Sequence, residues 1–222
     1  MKDSRAYTLI AVLFAAVLIV SNVASSKLTS FWGLTLDAGT VLFPLSYIFG
    51  DILTEVYGYA ATRRVIWMGF VSALLASLVF MCVGALPPAP EWGNQGAYES
   101  ILGLTPRIVL ASLVAYLVGQ FVNSYVLARM KVRMAGRHLW MRTIGSTLVG
   151  ELLDSAIFVL VAFSGVFAAP IIVSLVVSNY IFKVAVEALF TPITYRAVGY
   201  LKRLEGVDAY DRDTDFTPFA LR

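Results

Sequence analysis

Two strings about a hundred residues apart carry acids inside stretches apolar enough to cross a bilayer: Gly50-Asp51-Ile52-Leu53-Thr54-Glu55 and Gly150-Glu151-Leu152-Leu153-Asp154. On a helix, side chains three or four apart share a face, so Asp51 with Glu55 and Glu151 with Asp154 each turn two carboxyls to one side. A carboxylate near the bilayer centre costs roughly 3 kcal/mol on insertion scales, and an acid retained at that depth marks a functional site by default. Lys183 and Glu187, four apart in a later apolar stretch, add one cation and one more acid. Lys183 can lock the bundle by pairing with Glu187 or with an acid of the 143–167 stretch. Up to three acids then have no cation, and Asp51 and Asp154 lead Glu55 and Glu151 as sites for a substrate or a proton.

Neutral polar residues extend the set: Asn22, Gln120, Asn123 and Asn179 lie in or near apolar stretches, with Ser21, Ser124, Ser146 and Ser178 beside them. Hydrogen bonding between helices, worth about 0.6 kcal/mol per contact, accounts for some of these. A carboxamide both donates and accepts, and a carboxylate accepts two bonds at once, a combination that suits a planar heteroaromatic ligand. Tyr47 could stack on such a ring, as could Phe43, Phe49, Tyr57 and Tyr180.

Several other chemistries are excluded. His138 is the single histidine and sits in a basic loop, so no His-based metal site, dyad or triad is available. No Gly-Lys-Ser/Thr phosphate loop occurs, and the chain therefore does not hydrolyse ATP through a Walker motif. The flanking signatures of an intramembrane aspartyl protease are missing around Asp51 and Asp154. No cofactor or metal is expected, and no enzyme activity. Cys82 alone forms no internal disulfide.

The elements that must position these groups are membrane spans. Of 222 residues 59% are hydrophobic and only 14% charged, with a mean hydropathy of +0.79, which excludes an ordinary soluble domain. Six windows reach the roughly 20 apolar residues that a span needs: 6–26, 38–58, 64–86, 106–128, 143–167 and 170–198. The expected fold is an all-α integral membrane protein of six transmembrane helices, a single domain over 1–203 with a polar cytoplasmic tail over 204–222. The boundary near Ala169-Pro170 is the least defined. Residues 208–215 read as a solvated, partly disordered end. The first window could be a signal peptide, but its length and its polar Ser21 and Asn22 favour a retained span.

The net charge of +3 resides in short basic clusters beside the spans and not on a basic face with interleaved aromatics, so no nucleic-acid partner is expected. Of the 17 Lys and Arg, 14 fall on one side when both termini are placed in the cytoplasm; Lys27 and Arg107 fall opposite, and Lys183 lies within a span. The expected location is the inner (plasma) membrane, multi-pass, with both ends cytoplasmic. A shift of about 100 residues lays spans one to three on spans four to six. Three crossings per unit invert the second copy, giving two inverted three-helix repeats, about 5–88 and 104–200, as in many secondary transporters.

Longer strings carry a resemblance. Phe43-Pro44-Leu45-Ser46-Tyr47-Ile48, Asp51 through Gly58, Arg63-Arg64-Val65-Ile66-Trp67, Ala115-Tyr116-Leu117-Val118-Gly119-Gln120, Ser146 to Gly150 with Asp154, and Tyr180-Ile181-Phe182-Lys183 resemble the queuosine precursor transporter family, also described as vitamin uptake transporters. The likeness covers roughly residues 5–203. It implies six transmembrane helices and uptake of the purine-like bases 7-cyano-7-deazaguanine and 7-aminomethyl-7-deazaguanine. A carboxylate such as Asp51 or Asp154 would accept the N–H and amino edge of the base, and Gln120 or Asn123 would meet its carbonyl. The resemblance is less specific at Asn123, where some members carry an acid, and at Glu55, which is not an acid in all members.

The leading expectation is a self-sufficient carrier working by alternating access. The second is the substrate-binding subunit of an energy-coupling-factor vitamin importer, with Ala11 and Ala15 as a partner contact. A third is an assembly protein with no substrate, its acids ion-paired throughout. A homodimer is compatible with so small a carrier.

Overall fold

The computed structural model describes residues 4–31, 34–103 and 106–220. Lys2 and Arg222, counted in the charge balance, lie outside the described residues, as does Thr105, which ends the segment between the third and fourth apolar windows. Among the described residues are seven α-helices: α1 (Arg5–Ala24), α2 (Phe43–Tyr57), α3 (Tyr59–Gly84), α4 (Gln95–Leu102), α5 (Pro106–Arg133), α6 (Leu139–Phe163) and α7 (Ala169–Glu205). Five stretches are long and apolar enough to cross a membrane: α1, α3, the stretch Gln95–Arg133 that contains α5, α6 and α7. The protein is an all-α integral membrane protein. The boundary before the last span is sharp, because Pro170 sits in the first turn of α7, where a missing N–H leaves no bond unmade.

The second predicted span differs from a plain crossing. Residues 38–58 form a 3-10 turn at Ala38–Val41 followed by α2, only 15 residues long. At 1.5 Å per residue α2 spans about 22 Å, short of the roughly 30 Å hydrocarbon layer. Gly58, at φ +86°, ends it and starts α3 directly. α2 packs against α1, α3, α5 and α7, and twelve of its residues are buried. Protein and not lipid surrounds its polar groups, which is why a short helix with two acids can lie at membrane depth.

The predicted loop at 27–37 holds a hairpin, β1 (Leu28–Phe31) with β2 (Leu34–Asp37), antiparallel with Leu28 opposite Asp37. Four-residue strands carry too little alternation to be read from sequence. The loop at 87–105 contains α4, which turns back on the end of α3: Gln95 Nε2 donates to the Gly84 carbonyl at 3.0 Å.

The tail is a correction to the sequence reading. Residues 207–220 stay largely exposed, as expected, but are docked and not a free end, because the junction at Gly58 leaves backbone groups without helix partners. Ala209 N–H donates to the Val56 carbonyl at 3.1 Å, and both carboxylate oxygens of Asp211 accept from Tyr59 N–H at 3.1 and 3.0 Å. Asp211 thus caps α3 from 152 residues away, a carboxylate at the positive end of the helix dipole. Tyr59 OH donates to Phe216 O, Arg63 Nη1 to the carbonyls of Asp215 and Thr217, and Trp67 Nε1 to Pro218 O. Any Cβ at Gly58 would meet Ala209 Cβ at 3.1 Å, so φ and packing both demand glycine there.

The start of α1 lies at the same junction, where Tyr7 OH donates to Ala61 O at 3.0 Å. Both ends of the described chain therefore sit at one end of the bundle, the basic end; the hairpin marks the other. The two helix triplets do not pack equivalently. α2 lies on α7 and α3 on α5, whereas the counterparts expected from exact repetition, α6 on α3 and α7 on α1, are not among the substantial contacts. A 15-residue α2 against a 25-residue α6 makes the halves unequal.

Candidate functional site

Four-residue spacing arranges a polar column through the bundle. On α2, Phe43, Tyr47, Asp51 and Glu55 follow one another at intervals of four and cover about 18 Å along the axis. On α7 the corresponding series is Asn179, Lys183 and Glu187; α6 contributes Glu151, Asp154 and Ser155, and α5 contributes Gln120, Asn123 and Ser124. The helices approach closely where glycine permits it. A Cβ at Gly150 would come within 2.8 Å of Asn123 Cβ and 3.0 Å of the Gly119 carbonyl, and one at Gly119 would run into Tyr47 OH and Asp154 Cβ. This glycine crossing of α5 and α6 draws Tyr47 and Asp154 together.

The hairpin end of the column opens into a cavity of ≈ 60 Å³ whose lining includes Asn22, Phe43, Asp154, Ser155, Asn179 and Lys183. At roughly 15 Å³ per water it has room for about four waters. Lys183 Nζ pairs with Asp154, reaches Glu151 Oε2 at 3.2 Å and stands 4.4 Å from the centre of the Phe43 ring. Of the two partners open to Lys183 in the sequence, the structure selects the acids of α6. Asn22 accepts from Ser112 Oγ at 3.3 Å.

Deeper, the groups are enclosed. Asn123 Nδ2 donates to Asp51 Oδ1 at 2.7 Å, and Gln120 Nε2 lies 3.4 Å from Ser46 Oγ. Tyr47, Asp51, Gln120 and Asn123 are fully buried and do not line the cavity. Many acceptors here have no donor: Asp51 Oδ2, Gln120 Oε1, Asn123 Oδ1, Asp154 Oδ1 and both oxygens of Glu187 make no hydrogen bond. Buried acceptors are ordinarily satisfied, so this concentration marks a place for a donor-rich ligand or for protons.

Glu55 belongs to a different assembly. It pairs with Arg142, accepts from Lys202 Nζ at 2.6 Å and lies 3.5 Å from Lys131 Nζ. Asp208 of the tail binds Lys131 at 2.5 Å and Lys202 at 2.9 Å. Burial raises the Asp208 carboxyl, but the hydrogen bonds and charges of the two lysines outweigh it and hold the group below its usual value. This ion cluster closes the basic end of the column, with Glu55 at its centre and outside the cavity lining. Sequence reasoning treats Lys131, Arg142 and Lys202 only as topology charges, and Glu187 only as a partner of Lys183. The usable signal for Glu187 was its four-residue step from Lys183, which places both on the buried face of α7.

Spanning apolar helices packed around a polar interior define a multi-pass membrane protein. Residues 37–197 match the family model described as "Putative vitamin uptake transporter", and the chain belongs to that family. A "Probable queuosine precursor transporter" of Bacillus subtilis is 34% identical over 81% of this chain and 79% of its own length. The "Queuosine precursor transporter" of Escherichia coli is 28% identical over 78% and 77%. A "Probable queuosine precursor transporter" of Haemophilus influenzae is 27% identical over 69% and 65%. These relatives are named as transporters, and the chain is a transporter and not an enzyme. No solved structure matches it significantly.

Proposed function

We propose that the protein takes up queuosine precursors, 7-cyano-7-deazaguanine and 7-aminomethyl-7-deazaguanine, as a secondary carrier. The observation that carries this reading is the concentration of buried acceptors in the column that no donor meets. These bases retain guanine's ring N–H and exocyclic amino group, a donor edge that a carboxylate accepts through two parallel bonds. Asp154 at the cavity and Asp51 below it supply such carboxylates, Gln120 and Asn123 supply carboxamides for the ring carbonyl, and Phe43 and Tyr47 flank the path with their rings 5.9 Å apart. Glu151 and Lys183 hold Asp154 in place; Asn22 and Asn179 stand at the cavity wall.

A cavity of ≈ 60 Å³ is too small for a bicyclic base, since ligand pockets span about 300–1,000 Å³. Binding therefore requires the hairpin end to widen, and release requires the Glu55 cluster at the basic end to part. With the basic end in the cytoplasm this is alternating access, and the inner (plasma) membrane is its setting. The decisive experiment is uptake of labelled 7-aminomethyl-7-deazaguanine into proteoliposomes holding only this chain, with binding measured in parallel. Uptake without ATP or partner that is lost in Asp154→Asn is the expected result. Binding without uptake would instead support the substrate-binding subunit of an energy-coupling-factor importer.

A further inference from the structure

Among the acids of the column, Glu187 has the least compensation. It is buried and neither oxygen has a hydrogen-bond partner. α7 packs against α6 and α2, and the charges facing Glu187 from them are Glu151 and Asp51, both negative. On its own helix the nearest cation is Lys183, one turn toward the cavity, which is held by Asp154 and Glu151. Arg142, Lys131 and Lys202 are gathered on Glu55. Asp51 Oδ2, also buried, lacks a partner as well. Four acids (Asp51, Glu151, Asp154 and Glu187) thus share one cation in contact with them among the described residues. Ionising all four would leave three uncompensated negative charges away from water, an arrangement that favours proton uptake.

We propose that Glu187 is the proton-binding group of the carrier: a proton from the hairpin-end cavity adds to a carboxylate oxygen of Glu187, crosses with the base and leaves the same oxygen at the opposite face. An empty carrier recycles with the proton lost. Lys183 stands between the cavity and Glu187, so access to the acid depends on the same Lys183–Asp154 pair that faces the solute. The coupling part of this proposal rests on the uptake reading above; the proton-binding part does not.

The test separates the two. Infrared spectra of the full chain in lipid, without substrate, report a buried protonated carboxyl through its C=O stretch, and that band is expected in the wild type and absent in Glu187→Gln. Uptake of 7-cyano-7-deazaguanine, a neutral base, is then followed under an imposed pH gradient with the membrane potential clamped. One proton per base gives about tenfold accumulation per pH unit, abolished by a protonophore. Glu187→Gln is expected to bind the base and exchange it without accumulation. A wild-type band unchanged in Glu187→Gln, accumulation by that variant that still follows pH, or accumulation driven by sodium at clamped pH would each overturn the proposal. If Glu187→Gln does not fold, Glu187→Asp replaces it: a shifted band and a shifted pH midpoint of uptake support the proposal, and neither moving overturns it. A chain that neither binds nor moves the base removes the uptake reading, while the infrared result still decides whether Glu187 holds a proton.

Discussion

Asp51 and Glu55 are one turn apart on the same helix and are both acids, yet their surroundings give them opposite duties. Glu55 faces three cations, two of them buried with it, so its removal strands positive charge in a place water does not reach. Glu55→Gln is expected to destabilise the protein by roughly 3–5 kcal/mol, read as a fall in thermal unfolding temperature in detergent. Asp51 has one neutral partner and one free oxygen. Asp51→Asn, which strands no cation, is expected to cost less stability than Glu55→Gln while weakening base binding by ten- to a hundredfold, the loss of a charge-assisted bond worth roughly 1.5–3 kcal/mol. Equal stability losses in the two variants would contradict this division. The sequence shows both as intramembrane acids at helical spacing. It does not separate them, because the cations that claim Glu55 come from α5, α6 and α7, at sequence distances of 76 to 147 residues.

At the scale of elements, the crossing of α5 and α6 sets the width of the column. Gly119→Ala would press on Tyr47 and Asp154, and Gly150→Ala on Asn123. Each is expected to cost about 1–3 kcal/mol by overpacking, with Gly119→Ala also lowering affinity for the base because it displaces Asp154; thermal unfolding and equilibrium binding together check this. Long apolar helices were the legible part of this fold, since 20 residues without charge have few alternatives to a membrane span. α2 was less legible: composition gave it a full span, but Gly58 and the 3-10 turn at Ala38–Val41 cut it short, and its burial by neighbours is a tertiary fact. The column itself was half legible. Spacing on each helix put its polar residues on one face, whereas the choice of Glu151 and Asp154 over Glu187 as partners of Lys183 follows from how α6 and α7 meet.

For the molecule as a whole, the docked tail ties the basic end together. Asp208 bridges Lys131 of α5 and Lys202 of α7, and Asp211 caps α3. Because the folded-state value of Asp208 is depressed, its ionisation stabilises docking above its unfolded value near pH 4 and loses that effect as pH falls through the folded value. Protection of residues 207–220 from hydrogen exchange, taken relative to the intrinsic amide rate at each pH, is expected to fall on acidification below about pH 4, with Asp208→Asn less protected at neutral pH and losing most of that acid response. A tail equally protected at both pH values would show that Asp208 is not the tie. Sequence reading took these residues for a free end, because their polarity is typical of one and their partners are backbone groups left open by a break in a distant helix.

That cap also has a place in time. The N–H of Tyr59 waits for a carboxylate made 152 residues later, so during synthesis the α2–α3 joint enters the membrane without its partner and stays open while α5, α6 and α7 are threaded. The cap on α3 is then a closing step that begins only after α7 has emerged from the ribosome, and a chain interrupted before Asp211 would carry every helix of the bundle and still lack that cap.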